Sequence, residues 1–226
     1  MRSALQFTAA ALAALALAGS ASADSLLNEG FDSFSTLAGS GWVMKNNSSS
    51  PNALTTAWFQ GNPGIFAADS GATNSYAGSN FAVSNTGAVS AWLITPEISL
   101  SQNVLFNFSL RLLGEGFLDT VQVYWSNNAG SSNVGSTPTS TGDFQLLATY
   151  TADSDTGWVD ESMMLGGLGG TASGRFAFRY VVSDVSTAGD YVGLDNVRAN
   201  SVPEPGSIAL VGLGLAGAAF ARRRKA

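Results

Sequence analysis

The 226-residue chain contains no cysteine and no histidine. Without cysteine there are no disulfides and no thiolate nucleophiles. Without histidine, Ser-His-Asp catalysis, imidazole zinc sites and histidine-ligated haem are excluded, because each requires a group that this chain lacks. Charge is also scarce, at 12% of residues, with 10 basic against 16 acidic side chains. Arg2, Arg222, Arg223, Arg224 and Lys225 lie at the termini, so residues 24–201 hold five basic residues against fifteen acids, a net charge of −10. Such a surface repels nucleic acid. Carboxylates, hydroxyls and oxygen-bound metals are what remain for chemistry.

The two ends differ from everything between them. Arg2 precedes a run rich in Ala and Leu from Phe7 to Ala18, and Ala21-Ser22-Ala23 supplies the small residues of a cleavage site. Residues 1–23 are therefore expected to be a secretory signal helix rather than a membrane anchor, since the apolar region is short. At the other end, Gly206 to Ala221 is uncharged and is followed by Arg222, Arg223, Arg224 and Lys225. A helix of that length rises roughly 24 Å, and basic side chains that reach the headgroups let it span a bilayer core of about 30 Å. The basic cluster keeps its own side cytoplasmic, which places everything before Val202 outside. Between the two, Val202-Pro203-Glu204-Pro205 cannot be helical and holds the chain extended just outside the membrane.

That order of VPEP, apolar helix and RRRK resembles the PEP-CTERM sorting signal of Gram-negative bacteria; an ordinary tail anchor lacks the P-E-P spacer. The resemblance implies recognition at Val202, Pro203, Glu204, Pro205, Arg222, Arg223 and Arg224 by an exosortase, a membrane-embedded cysteine transpeptidase. Signal peptidase would act at the other end. The protein would pass through an inner-membrane intermediate to the cell surface or the extracellular matrix.

In residues 24–201 the dominant signal has period two, and their number suits one domain. Val104, Phe106, Phe108, Leu110 and Leu112 alternate with Leu105, Asn107, Ser109 and Arg111; Val121, Val123 and Trp125 do the same, as do Phe176, Phe178, Tyr180 and Val182 with Arg175 and Arg179 opposed. Further strands are expected at 26–31, 81–83, 89–95, 144–150 and 191–197, separated by Gly, Asn and Ser turns. No amphipathic helix and no internal repeat is evident. The fold class is therefore all-β, a sandwich or barrel.

The segments LLNEGFDSFSTLAGSGWVMKNNSSSP, AWFQGN, SYAGSNF, AWLITPEISL, VYWSNNAG, GDFQLL, GRFAFRYVV and YVGLDNV resemble, in order, the choice-of-anchor J domain. This implies a jelly-roll-like antiparallel β-sandwich, related in shape to cleaved-adhesin and MAM-type modules, on a secreted bacterial protein. It brings no catalytic residues with it.

Three kinds of site are open to such a domain. Trp42, Trp58 and Phe59 lie in loop-rich sequence, where exposed aromatic faces would stack on a pyranose ring, although indoles in a sandwich are more often core. Glu29 and Asp32 near the first strand and Asp195 on the last would suit Ca²⁺, which takes oxygen ligands, if the terminal strands meet. The likeness to MAM-type domains supports such a site, with the departure that Glu29 precedes the phenylalanine; the alternative is that these acids serve turns or face water. Asp153, Asp155, Asp160 and Glu161 form the densest acidic group, and two carboxylates suffice for glycoside hydrolysis, but the segment reads first as a solvated turn. The expectation is a non-enzymatic exported module of the biofilm or exopolysaccharide matrix. A carbohydrate-active enzyme and a specific glycan-binding module are the alternatives.

Overall fold

The computed structural model describes residues 23–203. Apart from Ala23, the expected signal helix lies outside the described residues. So do Glu204, Pro205, the apolar segment 206–221, and Arg222, Arg223 and Arg224. Among the described residues no helix is long and apolar enough to cross a membrane. Ser25–Ser201 form one compact unit.

Twelve strands follow one another among the described residues. They are β1 (Ser25–Glu29), β2 (Val43–Asn46), β3 (Phe59–Gln60), β4 (Ala77–Asn80), β5 (Val89–Ile94), β6 (Ile98–Ser99), β7 (Asn103–Leu112), β8 (Asp119–Ser126), β9 (Gln145–Ala152), β10 (Val159–Leu165), β11 (Ser173–Val182) and β12 (Tyr191–Val202). Sheet A has the order β10-β7-β12-β4-β3, with β1 also on β12; sheet B has the order β2-β5-β11-β8-β9, with β6 also on β11. The N-terminal half of β12 pairs with β4 and its C-terminal half with β1, both antiparallel, so the terminal strands do meet.

The alternation read in the sequence determines which face each strand buries. Phe106 and Phe108 of β7 point between the sheets and meet Phe176 and Phe178 of β11. Phe106 stacks on Phe176 with ring centroids 3.9 Å apart, and Phe108 meets Phe178 edge-on at 5.0 Å. Each such pair is worth about 0.5–1.5 kcal/mol beyond the area it buries. Because the unit buries this core by itself and pairs its strands internally, it has what independent folding requires.

One expectation is corrected, and five strands come in addition to those expected. Residues 81–83 form a 3-10 turn instead of a strand, because the Asn80 side chain accepts from Ala82 N at 3.1 Å and closes the turn. Strands β2, β3, β4, β6 and β10 are too short or too weakly alternating to be read from sequence; they are held by pairing with neighbours, such as β10 with β7 along seven residues.

The outer face of sheet B is covered. The segment 127–144 folds over it and packs Val134 and Phe144 against Trp92 and Tyr124. Arg179 fastens this cover from a buried position. It donates to Ser90 Oγ, Gln122 Oε1, Tyr124 Oη and the Pro138 carbonyl, with its guanidinium 5.1 Å over the Trp92 ring.

Candidate functional site

The outer face of sheet A is only half covered, and its open half carries the site. The segment 61–75 crosses one end, where Phe66 packs among Tyr76, Tyr191 and Trp158 at centroid distances of 5.1–5.5 Å. The aromatic group lies flush on the sheet because β12 has glycine at 193: a Cβ there would stand 2.7 Å from Phe66 and 2.8 Å from Trp158. Tyr76 donates to the Asn62 carbonyl at 2.9 Å, and burial pushes both the Tyr76 and Tyr191 hydroxyls above the ordinary tyrosine range, so both keep their protons.

Beyond this aromatic end, outward positions of three strands line up. Asn107 and Ser109 of β7 stand opposite Ser162 and Asp160 of β10. Asn196 and Arg198 come from β12. Asn196 is left-handed (φ 51°), which interrupts the alternation between inward Leu194 and inward Val197 and brings its side chain beside Ser109. Asp69 and Ser70 reach in from the crossing segment. Ser109 Oγ lies 3.0 Å from Asp69 Oδ2 and 2.7 Å from Asp160 Oδ1; Asn196 donates to Asp69 at 2.8 Å and accepts from Ser70 Oγ at 2.8 Å. One hydroxyl proton thus serves two carboxylates. These groups line an open cleft of about 400 Å³.

An ion pair closes the aromatic end. Arg111 binds Asp155 through two parallel hydrogen bonds, 2.9 and 2.6 Å, with its guanidinium 4.3 Å over the Phe66 ring. Hydrogen bonding to Arg111 holds the Asp155 carboxyl below the usual carboxylate value. A depressed pKa gives stability that is present above the unfolded value and lost as the pH falls through the folded one. Asp155→Asn is expected to cost at most about 1 kcal/mol at neutral pH, the pair being partly exposed. Urea unfolding of both proteins at pH 7 and pH 3 would measure this; a gap as wide at pH 3 as at pH 7 would show that the charge is not the cause.

The residues expected at the ligand site are elsewhere. Trp42 and Trp58 are core residues, 3% and 0% exposed. Trp42 meets Phe31 edge-on at 5.5 Å, and the Trp58 indole N–H donates to the Ala91 carbonyl at 3.1 Å. Neither offers a face to a sugar, because both indoles belong to the core shared by the two sheets. Phe59 is half-buried on β3, against Tyr191.

Among the described residues Glu29, Asp32 and Asp195 are not gathered into a group of three acidic side chains that could hold a metal. Each is occupied locally. Glu29 accepts from Phe31 N at 2.8 Å, supporting its left-handed backbone; Asp32 accepts from Ser75 Oγ at 2.7 Å. Asp195, fully buried, accepts from Ser70 N at 3.1 Å and Asn196 N at 2.7 Å, and desolvation raises its pKa. It tethers the crossing segment to β12.

The sequence did carry a signal for part of the cleft: Asn107 and Ser109 are the polar members of the β7 alternation. Asp69 and Asn196 had none.

Comparison with known proteins agrees with this architecture. The sandwich has the fold of cleaved adhesin domains. The K3 domain of Lys-gingipain from Porphyromonas gingivalis aligns with a TM-score of 0.54 at 20% identity, covering 80% of this chain and all of that one. The K2 cleaved adhesin domain of Lys-gingipain aligns with a TM-score of 0.52 at 15% identity, covering 78% and 98%. Residues 201–225 match the PEP-CTERM protein-sorting motif, so the chain carries a signal for exosortase-dependent export to the cell surface. No curated protein matches the sequence.

Proposed function

We propose that this chain is a non-catalytic β-sandwich of the cell surface or extracellular polymer matrix, which holds a hydroxyl-rich polysaccharide in the cleft on sheet A. In this reading residues 1–23 are removed by signal peptidase, and 206–221 span the inner membrane of a Gram-negative cell until an exosortase acts at Val202, Pro203, Glu204 and Pro205. The sorting motif supports the location. The observation that carries the ligand class is the chemistry of the cleft: carboxylates of Asp69 and Asp160, amides of Asn107 and Asn196, and the Arg198 guanidinium converge on an open groove. Carboxylates that accept, a guanidinium that donates and amides that do both suit vicinal hydroxyls, and an open groove admits a chain along its length.

The test is binding of residues 24–201 to soluble polysaccharides, including polymer extracted from the producing cells, followed by affinity electrophoresis. Asp160 is exposed, so Asp160→Ala should fold normally and bind at least about tenfold more weakly, the loss of about 1.4 kcal/mol expected when a charged hydrogen-bond partner is removed. Unchanged binding by Asp160→Ala and Asn107→Ala would sink the assignment. Two carboxylates on one hydroxyl also invite the glycosidase alternative. Release of reducing ends by the wild type, abolished in Asp160→Asn, would decide for catalysis.

A further inference from the structure

Two aromatic side chains are exposed among the described residues, Phe117 and Phe81, and Phe81 lines an open basin of about 640 Å³ at the loops that precede β5 and β12. A strand over 81–83 would put Phe81 and Val83 on one face. The 3-10 turn instead sends Val83 into the core and leaves Phe81 outward, 43% exposed.

Three loops make the basin, and hydrogen bonds lace them together. Asn52, between β2 and β3, donates its backbone N–H to the Val83 carbonyl and its side-chain amide to the Ala82 carbonyl, both at 3.0 Å. Asn85 N donates to the Ser50 carbonyl at 2.8 Å, and Val185 N, between β11 and β12, donates to the Gly87 carbonyl at 2.9 Å. Val185 also packs on the core. The basin is therefore formed before a ligand arrives, and its size falls within the roughly 300–1,000 Å³ of small-molecule sites.

Polar groups beside Phe81 have hydrogen-bonding capacity that the fold does not use. Asp184 Oδ1 accepts from Ser186 N at 2.9 Å and Ser186 Oγ at 2.7 Å, which fixes the carboxylate and holds its pKa below the usual value; no described group donates to its Oδ2. Asn85 donates its side-chain amide to the Ser50 and Pro51 carbonyls, and its Oδ1 accepts from no described group. The Thr86 hydroxyl stands next to them, and no cation lines the basin.

We propose that this basin is a second ligand site, which takes a neutral pyranose ring: the ring's C–H face lies on Phe81, and its hydroxyls bond to Asp184 Oδ2, Asn85 Oδ1 and Thr86 Oγ1. A sugar ring has both an apolar face and a hydroxyl edge, and the basin offers a flat aromatic face with acceptors beside it. An apolar partner would cover Asp184 and Asn85 without pairing them, at a cost in desolvation. An acidic sugar would meet the Asp184 charge with no cation to offset it. The basin and the sheet A cleft share no lining residue, so this site stands whether or not the cleft binds a polymer.

Amide-resolved NMR of residues 24–201, titrated to high millimolar concentration with the methyl glycosides of glucose, galactose and mannose, tests this. At least one glycoside should shift the amides of Phe81, Asn85, Thr86, Asp184 and Ser186 together, and the uronate analogue of that sugar should bind more weakly. Phe81→Leu keeps apolar bulk but has no flat face, and should weaken binding at least about fivefold. Phe81→Trp keeps a face and should retain binding, with melting temperatures showing that both variants are folded. The proposal is overturned if none of the three glycosides shifts these amides, if Phe81→Leu binds as tightly as the wild type, if folded Phe81→Trp loses binding, or if the uronate binds more tightly. Shifts confined to Asn107, Ser109 and Asp160 would also overturn it, while leaving the sheet A reading in place.

Discussion

Asp119→Ala is expected to destabilise the domain by about 3–5 kcal/mol, a large part of the roughly 5–15 kcal/mol that holds a domain folded. Asp119 is fully buried at the start of β8. Its Oδ1 accepts from Tyr180 Oη at 2.6 Å and Asp190 N at 2.8 Å, and its Oδ2 accepts from Gly114 N at 3.0 Å. Alanine leaves those donors without an acceptor and out of reach of water, at about 1–3 kcal/mol each. Tyr180→Phe removes one donor together with its need and should cost only about 1 kcal/mol. Thermal unfolding would rank the two, with a fall of about 2–4 °C per kcal/mol for a domain of this size. If the two variants melt together, the carboxylate is not the anchor of the loops before β8 and β12.

The same residue predicts a pH effect of definite sign. Desolvation pushes the Asp119 carboxyl above its ordinary value of 3.8, and it raises Asp190 both by burial and through the charge of Asp119. A carboxyl with a raised folded pKa binds its proton more tightly in the folded state, so its contribution to stability grows as the pH falls from neutral toward 3.8. That gain should be smaller in Asp119→Asn, which has no charge to relieve.

The second large effect concerns sorting. Changing Pro203-Glu204-Pro205 to Ala-Ala-Ala is expected to hold the full-length protein in the inner membrane, because the apolar segment 206–221 and the basic residues after it are untouched. Cell fractionation with mass spectrometry of the C-terminus reads the outcome. A trimmed mutant at the cell surface would mean that the sandwich or the basic cluster, and not this tripeptide, carries the recognition.

Long strands were legible because burial on one face leaves a period of two in the residues themselves. Strands β7, β8 and β11 all show it, and the inward and outward assignments of Phe106, Val123 and Arg179 follow from counting alone. The strands that escaped notice have compositions with no such record. The Ala-Gly-Ser-Asn of β4 becomes a strand because β12 and β3 flank it. Irregular sequence misled in the other direction. Around Trp42 and Trp58 it was read as projecting loop, yet it supplies core, since exposure depends on what packs over a segment and not on its local pattern.

The sequence by itself determined the chemistry this protein can use, the all-β character of its body and the sorting signal at its end. Each of these is written in residue identity or short-range order: absent thiols and imidazoles, alternation at two-residue spacing, and a proline-bracketed glutamate before an apolar run. Only the tertiary structure decided where the cleft lies. Asp69, Ser109, Asp160 and Asn196 come from a crossing segment and three strands, and they meet because β7 sits between β10 and β12 and a left-handed Asn196 turns one side chain outward. The hydrogen-bond partners of Glu29, Asp32 and Asp195 were likewise set by the fold: Phe31 N, Ser75 Oγ and Ser70 N respectively.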